Sequence, residues 1–165
     1  MQTGIIWNAA AYLAFVAIII GVFSERYRNW FITVGAFVLM FYARFFLHNQ
    51  LFASLQALIV ISGCLQLLGV PKRFSIGLLI LLTAGSYLNL ALNCAINNIW
   101  AFIGSLGLLG IAFGLIILPK RFGFRVMAIG GVFLIIYAHT VSACVFFFLN
   151  IFFTVANVVN WYKRP

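Results

Sequence analysis

Nine of the ten basic residues of this chain fall in four clusters: Arg26/Arg28, Lys72/Arg73, Lys120/Arg121/Arg125 and Lys163/Arg164. From Arg26 to Arg73, Arg121 and Arg164 the steps are 47, 48 and 43 residues. Each step holds two apolar stretches, each about the twenty residues that one helical crossing of the bilayer hydrocarbon requires. One crossing and its return bring every cluster back to the same face, and the positive-inside tendency makes that face cytoplasmic. The expectation is an all-α polytopic membrane protein of seven transmembrane helices, N-terminus outside and C-terminus cytoplasmic. The expected spans are 5–23, 30–48, 51–70, 75–93, 99–118, 124–143 and 145–162, forming one integral membrane domain over 1–165.

Composition agrees. Apolar residues make up 66% of the chain and charged residues 7%, too little polar side chain to cover a water-facing surface. A net charge of +9 would suit nucleic acid, but the cations sit in short connections and at the C-terminal end, as topology determinants do, so no nucleic-acid partner is expected. Cys64, Cys94 and Cys144 show no metal-ligand or disulfide spacing and read as small apolar fillers. The N-terminal stretch reads as a retained span, because its positive charge follows the apolar run instead of preceding it.

Pro71-Lys72-Arg73-Phe74 recurs as Pro119-Lys120-Arg121-Phe122, with Tyr162-Lys163-Arg164-Pro165 as a looser third copy. A period near 47 points to a repeated helical hairpin. The proline closes a helix and the basic pair anchors the turn among headgroups. Arg26, Arg28, Lys72, Arg73, Lys120, Arg121, Arg125, Lys163 and Arg164 are therefore expected to anchor topology and meet anionic lipid headgroups.

Laying the even-numbered spans over one another aligns Tyr42-Ala43-Arg44, Tyr87-Leu88-Asn89 and Tyr137-Ala138-His139. Residues two apart on a helix point about 200° apart, so one of each pair faces the interior and the other an adjacent helix or the outer interface. Arg44 lies some way into span two, and its charge either snorkels to the outer headgroups or meets an anionic ligand, a lipid phosphate or a partner's carboxylate. The chain's one carboxylate side chain, Glu25, lies at the opposite end of that span. His48 and His139 have no Cys, Asp or Glu at ligand spacing, so neither a metal nor a haem is expected, and no cofactor. Among the remaining intramembrane polar residues, Gln56 and Asn157 are the preferred cavity-lining candidates. The run Gly104 to Gly114 puts glycines on one helix face, as close helix packing requires, and lacks the context of a nucleotide-binding loop. No nucleophile–base pair is visible, so an enzyme is not expected.

The span order, the aromatic-rich stretch from Tyr42 to His48, His139 in span six, and the closing Asn157-Val158-Val159-Asn160-Trp161-Tyr162-Lys163-Arg164 carry a likeness over nearly the whole chain. The chain resembles the small YgjV-like bacterial inner-membrane proteins, and more distantly the SWEET, PQ-loop and PnuC-type transporters with their three-plus-one-plus-three plan of seven helices. The resemblance implies a bacterial inner-membrane location and a small-solute transporter or solute-binding helical bundle. Arg44, Asn89, His139, Gln56 and Asn157 would then line a cavity whose aromatic walls are Tyr42, Tyr87 and Tyr137. The chain departs from those transporters in having no proline inside a span: Pro71, Pro119 and Pro165 all fall in cytoplasmic segments. Gly35, Gly85 and Gly130-Gly131 would have to supply any flexibility. The alternative is a non-catalytic accessory or assembly subunit of a larger membrane complex, a reading favoured by the absence of an intramembrane acid.

Overall fold

The computed structural model describes residues 2–23, 26–117 and 120–163; Glu25, Pro119 and Arg164 lie outside them. Among the described residues regular structure is helical throughout: α1 (Gln2–Phe23), α2 (Arg28–Phe41) with a π-helical continuation (Tyr42–Phe46), α3 (Gln50–Leu67), α4 (Lys72–Leu92), α5 (Ile99–Ile117), α6 (Arg121–Thr140) and α7 (Cys144–Lys163). Their bounds follow the expected spans to within a few residues. Among the described residues five stretches are long and apolar enough to cross a membrane: Asn29–Phe46, Gln50–Leu67, Lys72–Leu92, Arg121–Thr140 and Cys144–Lys163. The apolar parts of α1 and α5, Ile5–Gly21 and Ile99–Leu115, are shorter.

The chain divides into two compact units, residues 1–78 and 79–165. In the first, α2 is the middle helix and packs against both α1 and α3. Its core joins Ala11, Ala14 and Ile18 of α1, Ala36 and Leu39 of α2, and Leu51, Phe52, Leu55 and Leu58 of α3. Small residues let these backbones approach, which is what drives helix association where lipid already satisfies apolar side chains. A β-carbon on Gly35 would lie 2.8 Å from the Ala14 carbonyl oxygen, and one on Gly63 would collide with the Thr33 hydroxyl.

In the second unit α6 is the middle helix, packed against α5 and α7. The glycine face of α5 meets α6 here: a β-carbon on Gly107 would lie 2.8 Å from the Gly130 carbonyl, and one on Gly130 2.8 Å from the Gly107 carbonyl. Gly131 lies against Thr154 of α7. Helix α4 has just two buried residues, Leu79 and Leu90, and among the described residues it packs closely on no other helix.

Three helices end on a left-handed residue other than glycine: His48 (φ 51°) after α2, Cys94 (φ 51°) after α4 and Ser142 (φ 53°) after α6. Each is followed by an N–H that turns back to the helix. Asn49 donates to the Ala43 carbonyl, Ala95 to Leu90 and Ala143 to Ala138, all at 2.9 Å. This left-handed closure satisfies carbonyls that a helix end otherwise leaves unpaired.

Candidate functional site

The tyrosines and their polar partners separate as the helical geometry requires. Tyr42 and Tyr137 are buried, whereas Arg44 and His139, two positions on, are exposed. Tyr87 is half-buried and Asn89 exposed, its side-chain and backbone oxygens accepting from the Asn93 amide. The turn-back bonds put Ala43 in the same place relative to its helix end as Ala138, and so Tyr42 with Tyr137. In α4 the matching carbonyl belongs to Leu90, which aligns Asn89 rather than Tyr87 with those tyrosines. The third pair is thus two residues out of register at the helix end.

Arg44 lies in the last turn before the chain leaves α2, and His139 in the last turn of α6. Both are near helix ends, which the left-handed residues His48 and Ser142 close. The imidazole of His139 packs beside Phe147, ring centroids 5.8 Å apart.

The polar interior of the first unit starts with Tyr42. Its hydroxyl donates to Asn8 Oδ1 of α1 at 3.0 Å, and its ring stacks on Phe46 at 5.2 Å. The Leu47 N–H reaches back five residues to the Tyr42 carbonyl at 3.1 Å, the bond that makes this turn π-helical. Gln56 of α3 is 1% exposed, and its Oε1 has no hydrogen-bond partner among the described residues; the same holds for the Thr33 hydroxyl. A buried amide oxygen left unpaired costs about 1–3 kcal/mol and wants a donor.

The second unit differs. Asn150 and Asn157 of α7 are buried, but each donates Nδ2 to its own helix, to the Phe146 carbonyl at 2.7 Å and the Phe153 carbonyl at 2.8 Å. Asn157 therefore spends its donor within α7, whereas Gln56 presents an unused acceptor.

Arg26, Lys72, Arg73, Lys120, Arg121, Arg125 and Lys163 are all exposed. Lys72 and Arg73 open α4, and Lys120 precedes α6, which Arg121 opens. Cations in a first turn oppose the helix macrodipole, so these positions are not chosen for helix stability. No group of three or more His, Cys, Asp or Glu capable of holding a metal occurs among the described residues. The sequence did not reveal the π turn, which depends on one backbone register, nor the approach to Trp161 of Arg121 and Arg125, which come from another helix. No protein-family model, curated protein or solved structure matches this chain.

Proposed function

We propose that this chain is a small-solute transporter or solute-binding helical bundle, made of two three-helix units that repeat one plan, with α4 as the connecting crossing. The carrying observation is the match between the ends of α2 and α6. Each has a buried tyrosine, then a buried alanine whose carbonyl accepts from beyond a left-handed residue, and a glycine eight positions before that alanine pressed against a backbone carbonyl of the preceding helix. The following helices agree as well: Leu51, Phe52, Leu55 and Gln56 are buried in α3, and Val145, Phe146, Leu149 and Asn150 in α7.

Parity explains α4. Three crossings start on one face of a membrane and end on the other, so a fourth crossing returns the chain to its starting face. The basic clusters, which return to one face after every second helix, fit that arrangement. This plan is the one expected from the likeness to YgjV-like and SWEET-type proteins, and a bacterial inner-membrane location goes with it.

Within this reading Gln56 is the solute contact in the first unit. Its unused Oε1 selects a small neutral solute presenting an N–H or O–H donor, while Tyr42 and Asn8 satisfy each other and hold α1 against α2. The test is purification of the full chain in mild detergent, mass analysis of what travels with it, and a thermal-shift screen against small neutral amides, polyols and sugars. A solute that raises the midpoint in wild type but not in Gln56→Leu supports the reading. Stoichiometric recovery with other membrane subunits and no solute response would instead establish the accessory-subunit alternative.

A further inference from the structure

We propose that the cytoplasmic end of the α6–α7 pair is a binding site for the phosphate of an anionic phospholipid, built from Arg121, Arg125 and Trp161. The guanidinium of Arg125 lies over the Trp161 ring, 4.3 Å from its centroid, and that of Arg121 approaches the same ring at 5.9 Å. Arg121 and Arg125 are four residues apart on one helix, where two like charges destabilise each other. Here one indole gathers them both. Attraction to the ring face helps hold each guanidinium but leaves both charges uncompensated.

The chain carries one Asp or Glu side chain, Glu25, against ten Lys and Arg, so side-chain carboxylates cannot offset its cations. Both arginines are exposed, so their N–H donors are accessible to a bound anion. Two forked guanidinium donors set around one ring suit the tetrahedral oxygens of a phosphate better than a point charge does. The Trp161 Nε1–H is buried with no hydrogen-bond partner among the described residues, adding a donor that an acceptor from a bound headgroup would satisfy. Trp161 also packs on Tyr162, ring centroids 4.7 Å apart, and such aromatic pairs favour the level of the headgroups.

The setting selects a lipid rather than a soluble anion. The site lies where apolar α6 begins and apolar α7 ends, with Phe122 exposed between Lys120 and the rest of α6. A diacyl lipid would place its phosphate on the arginines and its chains along those apolar surfaces. Two cations near the surface confer about a thirty-fold preference for an anionic over a zwitterionic lipid.

The test titrates the full chain in neutral detergent with phosphatidylglycerol, phosphatidylcholine or inorganic phosphate, reading bound lipid by native mass spectrometry and the unfolding midpoint. Phosphatidylglycerol is expected to bind and raise the midpoint, with about thirty-fold weaker binding in Arg121→Gln/Arg125→Gln and an intermediate loss in Trp161→Phe. Lys72→Gln/Arg73→Gln, which removes equal charge elsewhere, should weaken binding far less than Arg121→Gln/Arg125→Gln does. Equal binding of phosphatidylcholine, equal loss in the Lys72/Arg73 variant, or unchanged binding in both Arg121/Arg125 and Trp161 variants would overturn the proposal. An equal response to inorganic phosphate would reassign the site to a soluble anion. If the double arginine variant does not fold, Trp161→Phe decides alone. None of these outcomes depends on whether a solute binds near Gln56.

Discussion

At the scale of single residues, the informative side chains are those whose position costs free energy without a visible return. Gln56 keeps a buried amide oxygen with no partner among the described residues, so Gln56→Leu, close in volume and without that group, is expected to stabilise the ligand-free protein by about 1 kcal/mol or more while removing any solute response. A thermal midpoint measured in detergent separates this from a structural glutamine, whose loss would lower the midpoint. Ser142 sits at φ 53°, where an L-residue costs about 1–2 kcal/mol and glycine does not. Ser142→Gly should therefore raise the midpoint, by up to about 1 kcal/mol once the extra freedom of glycine in the unfolded chain is subtracted. Sequence alone identified Gln56 as a polar residue in an apolar helix and predicted that Tyr42 and Arg44 diverge, because a 100° step per residue settles both. It could not tell Gln56 from Asn157. Whether an amide bonds back to its own helix depends on a side-chain rotamer and on the neighbouring helix.

At the scale of elements, helix bounds were legible because apolar length and basic punctuation are one-dimensional signals. Pairing was not, since each helix is apolar on all sides and no polar face points away from a partner. Close backbone approach decides the pairing instead. Gly130→Val should cost about 1–3 kcal/mol, because its β-carbon would lie 2.8 Å from the Gly107 carbonyl, whereas Gly85→Ala, with open space around it, should leave the unfolding midpoint unchanged or slightly higher. The π turn follows from a count. Asn49 follows Ala43 by six positions, whereas Ala143 follows Ala138 by five, although both pairs close a helix with the same bond. The first unit thus carries one extra residue, and a π turn is how a helix absorbs one. Deleting the exposed Phe45 should leave a foldable protein with an ordinary α-helical end, whereas deleting Tyr137 should unfold the second unit; circular dichroism against temperature distinguishes the two.

At the scale of the whole molecule, the native cysteines test the topology directly. Cys94 and Cys144 are exposed at the ends of α4 and the start of α7, and Cys64 is exposed one turn before the end of α3. With alternate crossings, the first two face the outside and Cys64 lies toward the opposite face. A membrane-impermeant maleimide applied to intact cells should label Cys94 and Cys144 and spare Cys64, read by mass spectrometry of the peptides. Labelling of Cys64 alone would reverse the orientation, and labelling of all three would remove the alternation.

The placement of cations at helix starts, with one acid in the whole chain, has a consequence for electroneutrality. A protein with a net charge of +9 and almost no internal counter-charge must obtain its counter-ions from its surroundings. In a bilayer the nearest mobile anions are acidic headgroups, so with its cations on one face each copy would enrich that leaflet in them and deplete the lipid farther away. At high copy number such a chain is a sink for acidic lipid, and its abundance would alter the surface potential felt by every other protein in that membrane.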